Sequence, residues 1–436
     1  MSRPLFELQI EPLDDACRTI GRYVASLVPD GATLQTGIGR IPHAVMDALR
    51  DHHDLGMHTE MLSDSVIDLV ECGALTGRRK TFLPGKLVTS FVMGTSRLYD
   101  WVNDNPMVEL RPSDFTNDPF NIARNDCMIA INSALAVDLT GQVAADSVGG
   151  RFFSGIGGQV DFVRGAARSK GGKPIIALPA TAKDGTVSRI QPAFEQGAGI
   201  VTSRGDVHYV VTEYGIADLW GKSVRERATA LIEISHPDFR SELLAAAKQR
   251  HYVFPDQIMP RNSYPWRQEA VETLRNERKV HIRPTRMSDE KALQAMLYSL
   301  SDESTYFRFL GHKKQHPHAE MQKMVQLDSS TCAALVVCPQ DDDTGMIVGT
   351  ARYDVDPATR MADIAFVVRD DWQHLGLGTA LFRRMSAIAR ERGLAGFTAE
   401  VHTLNKPMLG VFYGSGLKVE AKIDGSVYHF NMRFAE

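Results

Sequence analysis

Residues 363–368 alternate in character, with Ile364, Phe366 and Val368 on one side and Asp363, Ala365 and Val367 on the other. That period of two predicts a strand. A glycine-rich turn follows, Gln373-His374-Leu375-Gly376-Leu377-Gly378-Thr379-Ala380. Beyond it, Leu381, Met385 and Ile388 repeat at helical spacing while Arg383, Arg384, Arg390 and Arg392 largely avoid their stripe. Gly393 supplies the stop. A strand that enters a helix through a glycine turn leaves backbone N–H groups free at the positive end of the helix dipole, where diphosphate oxygens can bind. Spacing alone describes an ordinary glycine turn equally well.

The same reading extends along the chain. Residues 331–338, 346–354 and 361–368 predict successive strands, the first two joined by an acidic turn whose aspartates at 341–343 read as a solvated loop. Residues 419–423 and 427–434 flank Asp424-Gly425-Ser426, a hairpin signal. Upstream, strand-like and helix-like segments alternate as in a layered α/β structure. Residues 14–28 place Cys17, Ile20, Val24 and Leu27 at helical spacing; residues 32–36 read as a strand ending in a glycine loop, and 43–49 as the next helix. Later strands are expected at 173–178, 200–202 and 208–212, and helices at 224–234 and 239–250. Between 251 and 277, three prolines in a short polar and aromatic run predict a connector. The expected division is therefore 1–252, a linker at 253–278, and a second domain at 279–436.

With 436 residues, 43% hydrophobic and 23% charged, the chain is long enough for two or three domains. A net charge of -4 and a pI near 6.4 give no polyanion-binding surface, so nucleic acid is not an expected partner. Cys17, Cys72, Cys127, Cys332 and Cys338 form no C-x-x-C pair, which points to buried thiols in a reducing cytoplasm. Neither a signal core nor a run long enough to span a bilayer is present, so no membrane partner is expected. His312, His316 and His318 are separated by lysines without an acidic ligand in register; a solvated helix approach is expected there, and no metal.

Asn405-Lys406-Pro407-Met408 and Phe412-Tyr413-Gly414-Ser415-Gly416-Leu417 complete a pattern over residues 363–417 that resembles the GNAT acetyltransferases. In that family a (Q/R)-x-x-G-x-(G/A) loop holds the pyrophosphate of CoA. The resemblance implies acetyl-CoA as substrate, with Val368, Gln373, Gly376, Gly378, Thr379 and Asn405 around it. It also implies Asp363 as base, directly or through water, and Tyr413 near the CoA sulfur. Asp363 is one methylene shorter than the glutamate common in protein-lysine relatives, and Tyr413 reads equally as a core aromatic. Residues 300–309 and 367–373 resemble bacterial protein-lysine acetyltransferases, so the expected acceptor is an amine, either a protein lysine or a small molecule.

From composition, Glu60 reads as a surface residue at a helix start. Yet Leu34-Gln35-Thr36-Gly37-Ile38-Gly39, His58-Thr59-Glu60-Met61, Phe82-Leu83-Pro84-Gly85-Lys86, residues 154–162 and Thr212-Glu213-Tyr214-Gly215-Ile216-Ala217 occur in the order seen in another family. They resemble the carboxy-terminal domain of the acetyl-CoA hydrolase/4-hydroxybutyrate CoA-transferase family. The resemblance implies that Glu60 attacks an acyl-CoA thioester, forms an acyl-glutamyl anhydride, and is converted by CoA into a glutamyl-CoA thioester. A small carboxylate, or water, then takes over. Such an oxyanion needs preorganised donors; the backbone at Thr36 and at Gly157 and Gly158 would supply them, and Asn117 would orient the carboxylate. Glu213 is expected as a structural acid, and His58 is not assigned as a base.

Two departures matter. Members of that family normally carry an amino-terminal domain ahead of the region that begins here, and residues 1–12 are too short to replace it, so the acceptor side of the cleft is expected to be open or completed by another chain. Ser65 follows Asp64 where relatives commonly have glycine. The expected fold class is an open α/β CoA-transferase-like domain followed by a GNAT-fold mixed α/β domain. Functionally, an enzyme joining both chemistries stands beside an alternative in which the first domain is a lapsed acyl-CoA binding module regulating the second; a fragment of a longer reading frame is the third. A homo-oligomer is compatible with the sequence, which fixes neither the acyl group nor the acceptor.

Overall fold

In the computed structural model of the chain, residues 5–8, 12–259, 264–325, 331–340, 342 and 344–434 are described. Parts of three sequence expectations, at residues 1–12, in the connector at 260–263 and at aspartates 341 and 343, lie outside the described residues. The chain divides into two compact units, Met1–Pro255 and Asp256–Glu436.

The first unit is built on a six-stranded sheet of β1 (Thr33–Thr36), β2 (Gly56–Met57), β3 (Met128–Ser133), β4 (Lys173–Ala177), β5 (Tyr209–Thr212) and β6 (Gly215–Asp218), in the order β6-β5-β4-β3-β1-β2. All neighbours are parallel except β5 and β6. Near-continuous burial of β1, β3 and β4 is what a parallel sheet covered on both faces requires. Around it run α1 (Asp15–Ser26), α2 (Arg40–Ala48), α3 (Ser65–Glu71), α4 (Pro119–Ala123), α5 (Gln159–Arg168), α6 (Val224–Glu233) and α7 (Pro237–Gln249). Asp14 caps α1 by accepting from the Cys17 N–H at 2.7 Å. Glycine lets α1 approach α2: a Cβ on Gly21 would lie 2.5 Å from the Ala44 carbonyl oxygen. Residues 200–202 do not form the expected strand; Thr202 makes only an isolated bridge to Val143.

The second unit is an eight-stranded sheet of β7 (Ala270–Thr273), β8 (Lys279–Pro284), β9 (Cys332–Pro339), β10 (Gly349–Val355), β11 (Met361–Val368), β12 (Gly396–His402), β13 (Lys418–Asp424) and β14 (Val427–Arg433), in the order β7-β8-β9-β10-β11-β12-β14-β13. β7 lies within the stretch expected to be connector and pairs antiparallel with β8. Helices α8 (Glu290–Tyr298), α9 (Asp302–Phe309), α10 (His318–Val325), α11 (Leu377–Glu391) and α12 (Lys406–Tyr413) complete the unit. Ile364 and Phe366 of β11 pack in one core with Leu381, Met385 and Phe412, and Val367 packs in a second core with Leu293, Met296 and Met321. Both faces of the strand are therefore covered.

One interruption of this sheet positions a site. β11 and β12 pair in parallel only at Met361↔Gly396, Ala362↔Phe397 and Asp363↔Thr398. Beyond Asp363 they part.

Candidate functional sites

In the first unit the candidate residues gather at the sheet's carboxyl edge, the place where an open α/β sheet builds its sites. β1 ends at the buried Thr36, and the Thr59 hydroxyl donates to the Thr36 carbonyl at 3.0 Å, holding the segment after β2 against it. The Glu60 backbone is fixed by its carbonyl, which accepts from the N–H of Ser90 (2.9 Å) and Phe91 (3.1 Å) and from the Thr89 hydroxyl (3.1 Å). Its half-buried side chain then meets two distant parts of the chain. A Cβ placed on Gly158 would lie 2.6 Å from Asn117 Nδ2 and 2.7 Å from Glu60 Oε2. Carboxylate, carboxamide and glycine backbone thus converge, and only glycine leaves room for the other two. Asn117 Oδ1 is occupied by the Thr116 hydroxyl at 3.0 Å, which turns the amide nitrogen into its available donor.

Gly158 is also the N-cap of α5, with no side-chain cap, so the first amides of that helix have no partner within it. Gly157 before it has φ +60, a conformation glycine adopts without strain. Asp161, in the first turn of α5, has its pKa raised by burial first and then by the charge of Glu60. Asp161 shows no role of its own in the sequence, because its proximity to Glu60 exists only after folding. A hollow of about 220 Å3 opens next to Thr36, bounded by Gly37, Gly39 and Arg40 on one side and Ser63, Asp64 and Ser65 on the other.

His58 does not reach towards solvent. It is fully buried between Phe82 and Phe162, and its Nε2 lies 2.9 Å from the Thr116 carbonyl. Since a carbonyl only accepts, Nε2 carries the proton. Burial pushes the imidazole down to about 4. Unfolded, the ring titrates near 6.5, so His58 contributes stability that is complete above pH 6.5 and is lost as pH falls towards 4. The loss is roughly 3 kcal/mol at about 1.4 kcal/mol per pKa unit. Urea unfolding of this unit should therefore weaken between pH 6.5 and 4 in the parent, with a flatter profile in His58→Gln. Lys80, 4% exposed and held only by the Met57 and Lys86 carbonyls among the described residues, is lowered by burial to about 7 and loses its contribution in a separate window, from 10.5 down to 7. Glu213 accepts from the Ala180 N–H at 2.8 Å, away from Glu60.

In the second unit the parting of β11 and β12 opens a cavity of about 450 Å3. Val368, Gln373, Gly376, Gly378, Thr379 and Asn405 all border it. Gly376 is the N-cap of α11 with φ +93 and no side-chain cap, leaving the helix's first amides without internal acceptors. Gln373 donates to the Val368 carbonyl at 3.1 Å and to Ser304 of α9 at 3.0 Å. Asp370, in turn, accepts from the N–H of Ser301 and from the hydroxyls of Ser301 and Ser304. Those contacts fasten α9 to the glycine turn. Asn405 caps α12 by accepting from the Met408 N–H at 3.2 Å.

Asp363 and Tyr413 are placed differently. Asp363 sits where the strands part, outside the cavity lining, and its pKa is raised by burial first, then by Glu400 and Asp354, against the pull of Arg308. Tyr413 is 58% exposed, packs edge-on against Phe430 at 5.5 Å, and does not border the cavity. Arg308 does border it, with a buried Nε that lacks a hydrogen-bond partner among the described residues. In sequence it was one basic residue in an aromatic run. His318 pairs with Glu290, and among the described residues no three His, Cys, Asp or Glu side chains are grouped as metal ligands would be. No helix among the described residues is long and apolar enough to cross a membrane.

Each unit contains a segment that matches a known family. Residues 94–247 match the acetyl-CoA hydrolase/transferase C-terminal domain, and residues 295–414 match the acetyltransferase (GNAT) family. The chain thus carries one domain of each kind. Over 249 residues it is 54% identical to 4-hydroxybutyrate coenzyme A transferase of Clostridium kluyveri, covering 57% of this chain and 58% of that protein. The crystal structure of RipA from Yersinia pestis is similar at 46% identity and a TM-score of 0.56, covering 58% of this chain and 57% of that one. The GNAT domain of S. lividans PAT is 29% identical over 38% of this chain and 98% of that chain, at a TM-score of 0.35. The chain spans somewhat over half the length of the Clostridium kluyveri enzyme and of RipA.

Proposed function

We propose that this protein acts on acyl-CoA at two sites, exchanging CoA between carboxylates at Glu60 and transferring an acetyl group from acetyl-CoA to an amine in the second domain. The convergence of Glu60, Asn117 and Gly158 carries the first half. Glu60 attacks the thioester carbonyl and CoA thiolate leaves, giving a mixed anhydride. The thiolate then attacks the glutamyl carbonyl, releasing the acyl group as a carboxylate and leaving a glutamyl-CoA thioester. An incoming carboxylate runs the sequence in reverse, or water hydrolyses the thioester. Uncapped amides at Gly158 and the backbone beside Thr36 are suited to receive the oxyanion, and Asn117 aligns the nucleophile.

The second half rests on the cavity at the parted strands. The α11 amides are suited to a diphosphate, and the gap between β11 and β12 to the arm that leads to the thioester. An amine that attacks the acetyl carbonyl must shed a proton; we assign its removal to Asp363, through water, since that carboxylate lies where β11 and β12 part but outside the cavity lining. The leaving thiolate's proton is not assigned to Tyr413, whose ring packs elsewhere.

Borohydride trapping tests the first half. In the presence of acyl-CoA, reduction should convert Glu60 to an alcohol detectable by peptide mass spectrometry. An unmodified Glu60 with acyl-CoA still bound would favour the alternative in which the first domain only binds acyl-CoA.

A further inference from the structure

Arg275 lies in the turn between β7 and β8, before the segment that matches the GNAT family. The fold brings this turn to the glycine loop: the Arg275 N–H donates to the Leu375 carbonyl at 3.4 Å. Its side chain follows. A Cβ on Gly376 would lie 3.7 Å from Arg275 Nε, and Arg275 borders the cavity that α11 opens onto.

Several neighbouring charges are already engaged. Glu272, on β7, accepts from Arg383 at 2.8 Å and from Arg384 at 2.7 Å, and Asp371 pairs with Arg369 at 2.6 Å. Arg278 stacks on Trp372, its guanidinium carbon 3.8 Å from the ring centroid. Asp370 spends its oxygens on Ser301 and Ser304. Among the described residues no carboxylate pairs with Arg275. A guanidinium held by its backbone beside uncapped amides, with Glu272, Asp370 and Asp371 committed to other groups, is arranged to meet an anion that also meets those amides.

We infer that Arg275 binds a phosphate group of CoA and so makes the second domain select the nucleotide end of the cofactor as well as its thioester. This rests on the acetyl-CoA reading of the cavity. Two phosphate sources share the chemistry, the diphosphate and the 3′-phosphate. Position alone does not choose between them.

Calorimetry on the full chain separates the cases, with the heat that Gly376→Glu abolishes assigned to this cavity. Arg275→Ala should weaken CoA there by about 10-fold, the scale of one charge-assisted hydrogen bond, and leave pantetheine, which lacks phosphate, unchanged. Should 3′-dephospho-CoA bind the parent and the variant alike, the 3′-phosphate is the partner; a 10-fold gap between them assigns the diphosphate. Equal CoA affinity in parent and variant overturns the inference, as does an equal loss for CoA and pantetheine. If no CoA heat is removed by Gly376→Glu, the acetyl-CoA reading falls and takes the inference with it.

Discussion

Glu60→Gln should reduce CoA exchange between an acyl-CoA and a free carboxylate by at least about 1,000-fold, because glutamine keeps the shape of the side chain but removes the nucleophilic oxygen anion. Chromatographic separation of the two acyl-CoA species gives the rate. The substitution is nearly isosteric, so the side chain still fits beside Asn117 and Gly158, and the unfolding midpoint should change little. Exchange at the parental rate in this variant would remove Glu60 from the chemistry.

In the second domain the largest expected effect belongs to Gly376→Glu, which should weaken acetyl-CoA binding by at least about 100-fold. Two causes act together. At φ +93 a side chain is strained, costing about 1–2 kcal/mol, and the new carboxylate enters the space where the α11 amides would receive a diphosphate. Gly376→Ala separates them, since it carries the strain without the charge. Thiol release from acetyl-CoA with a lysine-containing acceptor measures the consequence; alanine should retain most of the activity that glutamate removes.

Local pattern made much of the second domain legible. Period two marked β11, a helical stripe marked α11, and the glycine turn between them became the border of the cavity because all three are contiguous in sequence. β1 and its glycine loop were legible for the same reason. Residues 200–202 have strand-like side chains but only one bridge partner, and β propensity without a neighbouring ladder does not make a strand. β7 shows the converse: the prolines nearby suggest a connector, while Ala270–Thr273 finds its partner in β8.

Side-chain meetings were the least legible part. Glu60, Asn117 and Gly158 come from three separate loops, and family resemblance, rather than spacing, joined them before the structure did. Asp161, Ser304 and Arg308 lie in segments that carry a family resemblance, but neither they nor Arg275 showed a role of their own. Each acquires its place through a contact between elements distant in sequence, such as Ser304 with Gln373 or Arg275 with Leu375.

The most direct test is a crystal structure of the chain with CoA bound. The account predicts two occupied places: the thiol end against Glu60, Asn117 and Gly158 in the first domain, and the diphosphate on the amides that open α11 in the second. CoA touching neither place would contradict it.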